Sequence, residues 1–182
     1  MRPRYLKRVA TLLLVAQVIA GCCGAVAAPL TLVPHVDLPR FMGEWYVIAN
    51  IPSRFEKNAY NAIEAYRLAP DGTIDTTFTF RAGSFNGKSK SFRPRGFVLD
   101  RSSNAVWGMQ FVWPIKADYR IIFLDADYGQ TIVGREQRDY VWIMSRTPQI
   151  PEPDLQRHLR FLGEQGYDTS RIQRVPQSGM RP

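Results

Sequence analysis

Cysteine is almost missing from this chain: two residues in 182, side by side at Cys22 and Cys23. Adjacent cysteines close a bridge only through a strained peptide, so a disulfide framework is excluded and the domain downstream must hold by packing alone. Histidine is equally scarce, with His35 and His158 far apart and neither at metal-ligand or catalytic spacing, so both are expected at the surface without a ligand. No Gly-rich phosphate loop follows a strand pattern, no Gly-x-Ser-x-Gly turn occurs, and no cofactor or metal is implied. The longest apolar run, Val9 to Ala20, is about a dozen residues against the ~20 that a helix needs to cross a bilayer. Acidic residues are absent from the first 21 positions, where Arg2, Arg4, Lys7 and Arg8 carry half of the formal charge of +8. The rest is scattered, with no basic helix, RNA-type motif or zinc spacing, so no nucleic-acid partner is expected.

What is present is apolar and aromatic: 45 % hydrophobic and 12 % aromatic residues, enough to bury one sizeable core. The first 28 residues read as a targeting segment, with a basic start, an apolar run and then small residues. Two processing sites compete inside it. Ile19-Ala20-Gly21-Cys22 resembles the bacterial lipobox, with Cys22 the residue that takes the lipid, whereas Ala25-Val26-Ala27 offers a conventional cleavage site. On the first of these, residues 1–21 are a lipoprotein signal peptide and 22–40 a proline-bearing membrane tether, ending in a turn or short helix around Leu38 to Phe41.

From Gly43 the hydrophobic period becomes two. Strands are predicted at Gly43 to Ile51, Tyr60 to Leu68, Thr73 to Arg81, Lys88 to Leu99, Ala105 to Trp113, Tyr119 to Leu124, Thr131 to Gln137 and Tyr140 to Ser145. Asp71-Gly72 is the strongest hairpin signal, and Pro94 predicts a bulge or bend inside the fourth strand. Eight strands with short links and no crossover helix predict an all-β, antiparallel up-and-down barrel. After Pro151 the period turns helical: Leu155, Leu159 and Leu162 share a face, Glu152 and Asp154 sit at the positive end, and Gly166 stops the run. That helix should pack outside the barrel, completing a domain over 41–176, with a frayed tail at 177–182.

Alternation also sorts the strands by face. Trp107, Met109, Phe111 and Trp113 share one side, as do Ile74, Thr76, Phe78 and Phe80; Tyr119, Ile121 and Phe123; and Tyr140, Trp142, Met144 and Arg146. Such a lining suits a pocket for a mostly apolar ligand. A barrel filled by its own side chains would show the same pattern, so alternation alone leaves cup and solid core open.

Gly43-Glu44-Trp45-Tyr46, Asp118-Tyr119-Arg120 and the stretch from Tyr140 to Pro148 resemble, in order and spacing, the lipocalin family. Arg54-Phe55-Glu56 and Arg138 to Pro148 resemble its bacterial outer-membrane lipoprotein branch. The resemblance implies a calyx open above and closed below, with Gly43, Trp45 and Arg146 as a structural floor. It implies a lipid anchor on Cys22 at the outer membrane, with the barrel facing the periplasm, and a fatty acid or lysophospholipid as ligand. It also favours the register of the second strand that turns Glu64 and Tyr66 inward. The expected ligand contacts are then Glu64, Tyr66, Thr76, Phe78, Trp107, Met109, Phe111, Tyr119, Ile121, Tyr140 and Trp142. Glu64 either orients a polar head group or pairs with an arginine at the rim. No catalysis is implied, since a family member that isomerises prostaglandin uses a cysteine in its cup and both cysteines here lie upstream of the barrel. A lipocalin-type enzyme would have Glu64 with Tyr66 as its one hint; a filled structural barrel of the envelope is the other alternative. A homodimer is left open.

Overall fold

The computed structural model describes residues 28–179 and 182. The signal segment, both cysteines and the Ala25-Val26-Ala27 site fall outside the described residues. Among those described, no helix is long and apolar enough to cross a membrane.

A short helix, α1 (Leu38–Phe41), leads into the strands β1 (Gly43–Ile51), β2 (Ala59–Leu68), β3 (Ile74–Ala82), β4 (Ser89–Phe92), β5 (Arg95–Val98), β6 (Val106–Val112), β7 (Ile115–Leu124), β8 (Gln130–Gly134) and β9 (Val141–Ser145). The helix α2 (Glu152–Glu164), a single 3-10 turn (Thr169–Arg171) and a two-residue strand, β10 (Gln173–Arg174), complete the chain. Every strand pairing is antiparallel, and β1 pairs with β9 to close the barrel. The expected fourth strand is split at Arg93-Pro94 into β4 and β5, both on β3, because proline has no N–H to give to the ladder. The break is not empty: the Thr76 amide donates to the Pro94 carbonyl at 3.2 Å.

Register shifts set which side chains face in. Between Ile121 and Phe123 the β7–β8 ladder slips by one, so Ile121 belongs to the core inside the barrel whereas Ile122 and Phe123 pack outside, under α2. Phe123, expected inward, therefore meets the helix, with its ring 4.8 Å from that of His158. His158 itself corrects the surface expectation: it is buried, Nε2 lies 2.6 Å from the Gln130 side-chain oxygen, and burial pushes its pKa down. The helix otherwise follows its pattern, burying Leu155 and Leu162 against the outer sheet face, with Leu159 partly covered.

A second slip opens the sheet where the sequence has no warning. β2 pairs with β1 only from Gly43↔Tyr66 to Tyr46↔Ile63, then bulges at Asn61, which takes a φ of +50°. β10 fills the exposed upper edge of β1, at Ala49↔Arg174 and Asn50↔Gln173. The residues placed in a frayed tail continue this seam: the Gln177 amide donates to the carbonyls of Val47 and Ala62, and the Ser178 amide donates to the Asn61 side chain at 2.7 Å.

The lower end is sealed by one arginine. Just past β9, Arg146 lays its guanidinium 3.7 Å above the Trp45 ring. Nη1 donates to the Glu44 carbonyl at 2.8 Å, and Nη2 reaches the carbonyls of Arg40, Phe41 and Met42 at 3.0, 3.0 and 2.8 Å. Helix ends leave carbonyls without intrahelical partners, and a cation there answers both the lone pairs and the dipole. Gly43 explains the Gly-x-Trp spacing: its φ is +97°, and a Cβ would come within 3.2 Å of Arg146 Nη1. Arg146→Ala should cost about 2–4 kcal/mol by stranding these carbonyls. Thermal melting is expected to fall by roughly 5–15 °C, whereas an unshifted melt would contradict the seal.

Candidate functional site

Above that seal the barrel is filled to half its height and then opens. Phe41 packs on Trp45 at 5.0 Å and edge-on to Trp107 at 5.4 Å, and Tyr66 meets Trp107 at 5.8 Å. Three residues expected to touch ligand, Tyr66, Trp107 and Ile121, belong to this packed layer and do not line the cavity over it. They sit too low on their strands: Tyr66 is paired opposite Gly43, and Trp107 is level with the base of the cup through Tyr119.

The cavity above measures about 540 Å³, well within the range of small-molecule sites. Of the other expected contacts, Glu64 on β2, Thr76 and Phe78 on β3 and Met109 and Phe111 on β6 line it, as do Tyr119 on β7, Trp142 on β9 and Tyr140 just before β9. Phe111 does so at the rim, 60 % exposed. Trp113, placed with it by alternation, is 82 % exposed, because the β6–β7 register slips between Met109 and Val112 and the hairpin tip leaves the barrel.

Glu64 is not the rim carboxylate paired with an arginine. It lies one ladder position above the floor, paired opposite Trp45, and is 8 % exposed. Its Oε2 accepts from the Tyr66 hydroxyl and, at 3.4 Å, from the Tyr119 hydroxyl; the two phenols also meet each other. No arginine pairs with it among the described residues. Burial pushes its pKa up to about 8, with the charge of Glu56 adding and the Tyr119 hydrogen bond opposing. Tyr119 is raised in turn by burial and by Glu64.

Alternation had nothing to offer on residues that reach the cup from loops. Glu56, in the β1–β2 loop, accepts from Trp142 Nε1 at 3.1 Å and from Asn50 Nδ2 at 3.4 Å, and burial raises its pKa. Arg54 and Phe55 from the same loop, Phe92 and Arg93 at the strand break and Arg135 past β8 complete the upper wall. Arg54-Phe55-Glu56 was visible as a motif, but a loop has no period from which to read a direction. Among the described residues no cluster of His, Cys, Asp or Glu could hold a metal ion.

A half-packed, half-open eight-stave barrel, with an arginine-capped tryptophan below and one helix outside, matches a family model: the lipocalin-like domain aligns over residues 36–177. The chain belongs to the lipocalin family. This lipocalin is similar to temperature-induced lipocalin-1 of Arabidopsis thaliana, 33 % identical over 162 residues that span 84 % of this chain and 86 % of that protein. It is also similar to the outer membrane lipoprotein Blc of Escherichia coli K12, 29 % identical over 150 residues, 82 % of this chain and 84 % of the other. Insecticyanin of the tobacco hornworm Manduca sexta shares the fold, with a TM-score of 0.65 at 14 % identity, over 82 % of this chain and 85 % of that one.

The buried carboxyl has a sign-determined effect on stability. Glu64 keeps its proton in the folded chain up to about pH 8, but ionises near its ordinary 4.5 when unfolded. Between those values the folded state holds the extra proton, so its contribution is whole below the lower value and drains by about 1.4 kcal/mol per unit as pH rises toward the upper. Urea melts at about pH 5, 6.5 and 8 should show that decline, and Glu64→Gln should flatten it. Equal slopes in the two chains would contradict the assignment.

Proposed function

We propose that this lipocalin holds and carries fatty acids or lysophospholipids, one acyl chain at a time, in the upper barrel. The observation that carries the reading is a cavity of about 540 Å³, walled by Phe78, Phe92, Met109 and Trp142 over a sealed floor. An acyl chain leaving water for that wall gains about 0.8 kcal/mol per methylene, so ten give ~8 kcal/mol before ordering costs of several kcal/mol. Micromolar affinity follows. Arg54 and Arg135, from the loops at the open end, suit a carboxylate or phosphate held at the rim.

The site of action is part of the same proposal. Cys22 carries the lipid anchor and the barrel faces the periplasm. The stretch read as a tether to residue 40 is free for at most its first part, because Leu30, Val33 and Val36 pack on the barrel and the Val33 and Val36 amides donate to the carbonyls of Ile121 and Ser103. Support comes from the lipobox-like residues and from the similarity to proteins named outer membrane lipoprotein Blc. One chain anchors marginally, whereas the multiple chains of a bacterial lipoprotein hold stably. The role is binding and delivery in envelope maintenance.

A chain-length series tests the binding. Measured by quenching of tryptophan fluorescence, affinity for saturated fatty acids should rise about fourfold per added methylene and level off once the cup is full. Affinity that is flat across the series, or absent, would refute a carrier of acyl chains.

A further inference from the structure

The base of the cup is polar in a way that a plain hydrocarbon end does not answer. Thr76 lines the cavity and is 3 % exposed, yet its Oγ1 is buried with no hydrogen-bond partner. Glu64 lines the same base, and both tyrosine hydroxyls that reach it end on Oε2, leaving Oε1 without a protein partner among the described residues. The ladder makes the two residues diagonal neighbours, Glu64 opposite Phe78 and Tyr66 opposite Thr76. Diagonal positions on one face stand about 7–8 Å apart at Cα, close enough for one small group to touch both side chains.

We infer that Thr76 and Glu64 form a hydroxyl-recognition subsite at the base of the cup, so that the preferred ligand is an acyl amphiphile with a hydroxyl on its chain. The inference rests on the acyl-binding reading above. A hydroxyl both donates and accepts: it donates to Thr76 Oγ1 and accepts from Glu64 Oε1–H. Glu64 supplies that proton because burial keeps it protonated at neutral pH, with Oε2 as the acceptor for the tyrosines. A methyl end leaves the threonine unpaired, the situation in which sites discriminate most strongly. A carboxylate end would put a charge where neither Thr76 nor Glu64 brings a cation, with Glu56 on the same cavity wall. The arginines at the rim and the break, Arg54, Arg135 and Arg93, keep the ionic head at the other end of the chain.

The test uses octadecanoic acid and its monohydroxy positional isomers, titrated into the full chain and read by tryptophan fluorescence. The isomers that place their hydroxyl at the base should bind about 10- to 100-fold tighter than octadecanoic acid, and the others no tighter. Thr76→Val should erase that preference, bringing octadecanoic acid and the isomers to equal affinity, and Thr76→Ser, which restores a hydroxyl, should retain it. If octadecanoic acid binds and no isomer binds tighter, or if Thr76→Val keeps the preference, the subsite is overturned and the acyl carrier stands. If neither acid nor isomers bind, both are overturned.

Discussion

One guanidinium decides which end of this barrel is floor and which is mouth. Arg146 lies against the Trp45 ring and gathers the carbonyls of Arg40, Phe41, Met42 and Glu44, so a short helix, the first strand and the end of the last are fixed to each other at a single point. With that end closed, Phe41, Trp107 and Tyr66 can stack on Trp45 and fill the lower barrel to core density. The upper wall closes nothing. Its residues come from six strands and three connections, and the cavity survives because the packed layer beneath supplies the stability that the cup does not.

The cup itself has two kinds of polar group. Arginines from loops and from the β4–β5 break stand at the rim and the wall, whereas Glu64, Tyr119 and Thr76 lie at the base. The same burial that would penalise a charged Glu64 keeps it neutral, and a neutral carboxyl beside phenols is a hydrogen-bonding surface instead of an ion-binding one. Apolar walls between these levels make the site amphiphilic along its length.

Much of this was legible in the sequence where a period ran unbroken. Trp45, Phe78, Met109 and Trp142 were read inward from alternation and motif, Pro94 announced the split strand, and the helix announced itself through Leu155 and Leu162. The misplacements have local causes. A one-residue slip turns Phe123 outward, another frees Trp113, and neither bulge carries a glycine or proline to mark it. Height along a strand has no periodic signature, so Tyr66, Trp107 and Ile121 were given the right face and the wrong level. His158 was misread by residue type although its place, three after Leu155 and four before Leu162, puts it on the buried stripe. β10 has two residues, too few for any pattern, and the loop carboxyl Glu56 has no period at all.

In the proposed function, the closed floor leaves room above it for one acyl chain. The most direct measurement is a crystal structure of the protein grown with hexadecanoate. A single chain is expected to enter past Arg54 and Phe55, run between Phe78 and Trp142, and end above the Trp45–Trp107 layer. Acyl density confined to the outer surface under α2, with the cup holding only water, would contradict it.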